Sequence, residues 1–205
     1  MDAHTFESWL DAIQQWINEP ADELRQMCTV NPEFLVMAQN NPQFFDLLNH
    51  SDVNVPDGVG LLIAAKILGK SLPERVTGSD GIYYICERAA QEGWSLYFLG
   101  AQEGIAAQAA DILREKYAGL TIAGTDASNP DQSEAIIQRV NAVRPDILLV
   151  AYGAPRQDLW IDTHRDQLNV KVAMGIGGAF DFVSGVIPRA PLWMQNLGIE
   201  WLFRL

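Results

Sequence analysis

From residue 95 onward the chain alternates short apolar runs with stretches of helical period. "SLYFLG" (95–100), "LTIAGTD" (120–126) and "DILLVAYG" (146–153) read as buried strands. Between them, "EGIAAQAADILREKY" places Ile105, Ala109, Ile112 and Leu113 on one helical face, and "SEAIIQRVNAV" does the same with Ile136, Ile137 and Val140. Asn129, Pro130 and Gln132 supply a cap, a proline for the first helical position and a capping-box partner. The first half is richer in helix, with patterns over 6–18, 32–48, 57–69 and 79–92 and short strand candidates at "MCTV" and "DVNV". A last apolar run, "VKVAM", leads into Gly175, Gly177 and Gly178, where backbone can approach a ligand closely. No repeat or linker interrupts the alternation. It predicts an α/β fold, a single three-layer Rossmann-like domain over residues 1–205 with a mainly parallel sheet and a site on the loops after the strands.

Charge and cysteine usage narrow the partners. Lysine and arginine total 14 against 26 acids, a net charge of -12, which speaks against an extended nucleic-acid surface. Cys28 and Cys86 are the only cysteines, and His4, His50 and His164 lie far apart, so neither a disulfide framework nor a local zinc site is indicated. No run approaches the roughly 20 apolar residues of a spanning helix. The N-terminus lacks a basic leader followed by an apolar stretch, so the chain is expected to fold in the cytosol.

The candidate chemistry sits where strand patterns stop and helices begin: "TVNPE" (29–33), "VPDGVG" (55–60), "FLGAQE" (98–103), "YGAPRQD" (152–158) and "GIGGAFDF" (175–182). Such junctions aim backbone N–H groups at a common crevice suited to phosphate. None has Walker A spacing, and "GIGGAF" lacks a full dinucleotide fingerprint, so spacing alone does not name the nucleotide. Asp57 follows a strand and a proline, where a carboxylate serves either as a general base or as a cap for the helix after Gly58. Thr29 and Asn31 suit hydrogen bonding to a substrate, with Asn31 before Pro32 equally placed as a cap. Arg156 opens a helix, against the dipole unless it meets an anion. Asp181 reads as a ribose or base contact or as a solvated turn acid, and Arg189 as an anion partner or a surface cation. Trp9, Trp16, Trp94 and Trp160 read as packing, whereas Trp193 and Trp201 lie eight residues apart, close enough to two turns to share a face toward a membrane or partner.

Taken in order, "TVNPEFLVMAQNNPQF", "VPDGVGLLIAAKILGKSLPERVTGSD", "YFLGA", "DILLVAYGAPRQDLWI" and "GIGGAFDFVSGVIPRAPLWMQNLGIEWLFRL" closely resemble the WecG/TagA/CpsF family of glycosyltransferases. The resemblance runs from about residue 28 to the end. It implies a metal-independent, inverting transferase without a cofactor. Such an enzyme moves N-acetylmannosamine or a related sugar from a UDP-sugar to polyprenyl-diphosphate-linked N-acetylglucosamine, in teichoic acid or other surface polysaccharide synthesis. Residue by residue, it implies Asp57 as the base, Thr29 and Asn31 next to the sugar, and Gln157 as a further site residue. Gly100, Gly153, Arg156, Gly177, Gly178 and Asp181 fall on the nucleotide side. Asp158 stands where the family usually has glutamate.

The resemblance also implies a peripheral enzyme at the inner face of the cell membrane. Family members usually continue past "EWLFRL" into a basic appendage that reaches the membrane, which this sequence lacks. An apolar end formed by Ile199, Leu202 and Phe203 with the two tryptophans is expected to favour homo-oligomers or membrane contact. Two other classes compete. A Rossmann-type oxidoreductase wants a glycine fingerprint with an acid about 20 residues on, and a non-catalytic UDP-sugar sensor would bind the donor without turnover.

Overall fold

Runs of consecutive apolar residues form strands here because those strands are covered on both faces, whereas the edge strand over 121–126 is mostly polar or small and only partly covered. The computed structural model describes residues 1–20, 23–191, 193–194, 200 and 203. Its strands are β1 (Arg25–Val30), β2 (Val53–Pro56), β3 (Ser95–Gly100), β4 (Thr121–Asp126), β5 (Ile147–Ala151) and β6 (Val172–Gly175). They pair in the order β2-β1-β6-β5-β3-β4, and every pairing is parallel. Side chains alternate across the sheet. Leu96, Phe98, Ile147, Leu149, Val172 and Met174 face one core, while Tyr97, Leu99, Leu148, Val150 and Ala173 face the other.

The first core is closed by α1 (Phe6–Asn18), α5 (Gly78–Glu92), α6 (Ile105–Lys116) and α9 (Ala179–Ser184), through residues such as Trp9, Ile85, Leu113 and Phe180. On the opposite face α7 (Ser133–Val143) and α8 (Arg156–His164) cover β3, β5 and β6. Beside them α2 (Pro32–Asn40), α3 (Pro42–His50) and α4 (Val59–Ile67) pack Phe34, Phe44, Leu47 and Leu61 over Cys28 and Val30 of β1. The three-layer expectation holds, with a sheet parallel throughout.

Two local expectations change. The helical pattern over 32–48 is two helices, because Pro42 lacks an N–H to continue the ladder and Asn41 adopts extended backbone, its side chain accepting from Phe44 N at 3.1 Å. Ahead of α7, Asn129 caps a separate 3-10 turn, Pro130–Gln132, by accepting from Asp131 N. Gln132 itself carries no capping hydrogen bond for α7.

Candidate active site

The chain leaves β3 to one side to form β4 and returns on the other to form β5, so the loops after β3 and β5 diverge and open a crevice. Gly100 makes the approach of those strands possible. Its φ is +97°, and a Cβ there would lie 2.8 Å from the Ala151 carbonyl oxygen. The next residue, Ala101, is also held at positive φ, 61°, by a bond from its N–H to Ala151 O. Sparsely populated backbone of this kind gathers at ligand sites. The crevice is a cleft of about 540 Å³ whose wall includes Gln102, Tyr152, Arg156 and Asp181. A neighbouring cleft of about 470 Å³ lies across Ala127 and Ser128, beside the Asp126–Arg139 ion pair.

Helix starts around this crevice carry no side-chain cap. Gly104 before α6, Pro155 before α8 and Gly178 before α9 all lack one. Arg156 is half exposed, donates to Asn129 Oδ1 at 2.9 Å and lies 3.7 Å from the Asp131 carboxylate. Its cation therefore stays at the mouth of the cleft.

Gln157 plays a different part from the one expected of a substrate-contacting residue. Only 2% exposed, it accepts through Oε1 from both Gly153 N and Gly177 N, each at 3.1 Å. The amides of these two glycines thus serve to brace the β5 and β6 loops together. Gly153 and Gly177 sit at φ +78° and +54° with open space where a Cβ would be, so their lack of a side chain keeps the floor low.

The other half of the carboxyl edge is built around Asp57, just past β2. The expected cap does not form: α4 starts at Gly58 without a side-chain bond. Instead Asp57 Oδ2 accepts from Gly78 N, the first residue of α5, at 3.1 Å. Thr29, buried at the end of β1, meets the same residue, since a Cβ on Gly78 would lie 3.3 Å from Thr29 Oγ1. Burial raises the Asp57 pKa to about 6, against the lowering effects of the Gly78 hydrogen bond and the Arg75 charge. Asn31 does cap α2, accepting from Phe34 N at 3.0 Å. Arg189 is neither a surface cation nor an open anion partner: it pairs with Asp80 at 2.7 Å and with Glu200 at 3.3 Å.

Three features escape the sequence reading. The loop Ala127–Pro130 lines both clefts, and "TDASNP" carries the same strand-to-helix signal as the loops singled out. Gly78 holds the Asp57 carboxylate, and the Thr77–Asp80 cap that starts its helix is visible in "TGSD". Asp158 is fully buried with both carboxyl oxygens lacking a hydrogen-bond partner, and burial lifts its pKa to about 7. Of the expected apolar end, Trp193 and Phe203 are exposed, whereas Ile199, Trp201 and Leu202 lie outside the described residues. Among the described residues no three His, Cys, Asp or Glu side chains gather as a metal site, and no helix is long and apolar enough to cross a membrane.

The chain is 34% identical over 178 residues to an N-acetylglucosaminyldiphosphoundecaprenol N-acetyl-beta-D-mannosaminyltransferase of Bacillus spizizenii, covering 86% of this chain and 69% of the relative. Enzymes of the same description from Bacillus subtilis and Staphylococcus aureus are 29% and 30% identical over the same shares. A family model, that of the WecG/TagA/CpsF glycosyl transferases, matches residues 1–205, and the chain belongs to that family.

Proposed function

We propose that the protein transfers N-acetylmannosamine from a UDP-sugar to N-acetylglucosamine carried on a polyprenyl diphosphate, with inversion at the sugar and without a metal. The observation that carries this reading is the Asp57 carboxyl, held at the carboxyl edge with a pKa near 6. A base in that range is mostly ionised at neutral pH yet basic enough to take a hydroxyl proton. From β2, which Asp57 directly follows, to β5, which borders the crevice, there are three strand spacings, or about 14 Å. A nucleotide whose diphosphate sits over β3 and β5 would point its sugar across β6 and β1 toward the acceptor and Asp57.

In the step itself, an acceptor hydroxyl gives its proton to Asp57 and its oxygen bonds to the anomeric carbon. The bond from that carbon to the diphosphate oxygen breaks, and UDP departs with the electron pair. Developing charge on UDP is met by the uncapped starts of α6 and α8 and by Arg156. In this reading Thr29, beside Gly78, orients the sugar, while Gln157 keeps the loops in register. The relatives' acceptor, named in their description, supports the choice of lipid-linked N-acetylglucosamine.

The test is turnover of UDP-N-acetylmannosamine with a lipid-linked N-acetylglucosamine acceptor, in parallel with UDP-dependent melting, both with and without EDTA. Transfer, and an unchanged UDP-induced rise in Tm under chelation, are expected. Stabilisation that vanishes with EDTA and returns with magnesium or manganese would refute the metal-free mechanism. UDP binding without turnover would favour a sensor.

A further inference from the structure

Helix α4 is built against the usual rule for a surface helix. Its sequence, "VGLLIAAKI", is apolar nearly all round, yet only Leu61 is buried, against Phe34 and Ala38 of α2. Ile63, Ile67 and the following Leu68 are 56%, 79% and 77% exposed. Water would normally face charged residues at such positions, and a cluster of large exposed apolar side chains marks a contact surface.

The charge pattern of the same segment is as unusual as its hydropathy. Residues 58–73, "GVGLLIAAKILGKSLP", contain no acid in a chain of net charge -12, and both Lys66 and Lys70 are exposed. Ile63 and Ile67 lie one turn apart on the helix, Lys66 is in its last turn and Lys70 follows the left-handed Gly69, so exposed apolar and ammonium groups share one stretch of surface. Lysine stems lie along apolar ground while their charges reach for anions.

We propose that α4 and the turn after it, through Lys70, rest on an anionic lipid surface and present the lipid-linked acceptor to Asp57. This rests on the transferase reading given above. The helix begins two residues after Asp57 and is about 13 Å long, so its apolar end lies close to the site that would receive the acceptor hydroxyl. A second copy of the chain fits less well. A two-fold interface would place this patch on itself, setting Lys66 and Lys70 against their own counterparts with no acid in the segment to offset them.

The experiment measures co-sedimentation with phosphatidylglycerol and phosphatidylcholine vesicles for the parent chain, an Ile67→Gln/Leu68→Gln pair and a Lys66→Gln/Lys70→Gln pair. The apolar pair is expected to lower partition onto phosphatidylglycerol about tenfold or more. The lysine pair should lower it about fivefold or more on phosphatidylglycerol and hardly at all on phosphatidylcholine. Transfer to a vesicle-embedded long-chain acceptor should fall with partition, while transfer to a short-chain water-soluble acceptor stays within about twofold, since these exposed side chains lie outside the chemistry. Vesicle binding that is absent in the parent, or equal in parent and variants, overturns the proposal. So does a parent dimer that the apolar pair converts to monomer while vesicle binding persists. If the parent glycosylates neither acceptor, the transferase reading fails while the partition data still decide the role of α4.

Discussion

The two halves of the carboxyl edge handle negative charge in opposite ways. Around the β3–β5 crevice, three helices begin at Gly104, Pro155 and Gly178 with no side-chain cap, and Arg156 stands at the mouth. Around β1 and β2, Asn31 caps α2, Thr77 caps α5, and the protein supplies its own anion, Asp57, to Gly78 N, with α4 the one helix there that starts uncapped, at Gly58. The first half is left short of acceptors and so invites an anionic ligand. The second is already supplied, and its carboxylate is raised in pKa because it is crowded by protein. A leaving diphosphate belongs in the former and a proton-accepting base in the latter.

The sharpest way to break this division is Asp57→Asn. Asparagine keeps an acceptor for Gly78 N, so the fold and UDP affinity should persist while transfer falls about 100-fold or more. In the parent, kcat/KM should rise with pH through an apparent pKa near 6, because the carboxylate form is the base, and that limb should vanish in the variant. A variant with near-normal turnover would reduce Asp57 to a partner for α5.

Gly100→Ala attacks the other half. The new methyl would press on the Ala151 carbonyl and on Tyr152 at a φ of +97°. UDP affinity is expected to weaken about tenfold, or ~1.4 kcal/mol, by isothermal titration, with the acid limb of the pH profile unmoved. Arg156→Ala should weaken UDP binding about fivefold, or ~1 kcal/mol, the size of an ordinary net hydrogen bond because the group is half exposed. The loss should shrink as salt is added. If either variant shifts the pH limb, the two halves are not separable.

Much of the fold was legible in the sequence, whereas the division of the carboxyl edge, read there as one common crevice, was not. The bounds of α7 follow the periodic run 133–143, and β3 follows "SLYFLG", because both obey a single local period. What local pattern cannot carry is a partner far along the chain. The residue that binds Asp57 lies 21 positions away, and Gln157 reaches Gly177 across 20. Topology also overrides residue type: Asp158, an acid in the first turn of α8, is driven inward where α8 lies on the sheet, and α4, apolar nearly throughout, sits on the outside. The helix pattern over 32–48 ran through Asn41 because apolar spacing continues across the proline that breaks the hydrogen-bond ladder.

The smallest effect on turnover, and a useful control for both halves, is expected from Asp158→Asn. A buried carboxyl whose pKa rises from 3.8 to about 7 binds its proton more tightly in the folded than in the unfolded chain. Its contribution is therefore fully present at low pH and is lost as pH rises through about 7. Asparagine removes that dependence, so stability at pH 8 should rise by about 1–3 kcal/mol, with no gain well below the ordinary carboxyl pKa, at about pH 3 and lower, where the acid is protonated in both states. Urea melts across pH check it. Transfer should stay within about twofold, since the side chain is sealed away from the cleft.

Strand order carries a further consequence for how the molecule comes to exist. β6, the last made of the described strands, sits between β1, the first of them, and β5. Until residues 172–175 emerge during synthesis, the β1–β2 pair and the β3–β4–β5 group share no strand-to-strand hydrogen bonds, and each presents an unpaired edge. The halves that divide the chemistry are therefore also the halves that must wait for each other. Any lesion that delays or removes β6 leaves two separate ribbons, neither of them a complete sheet.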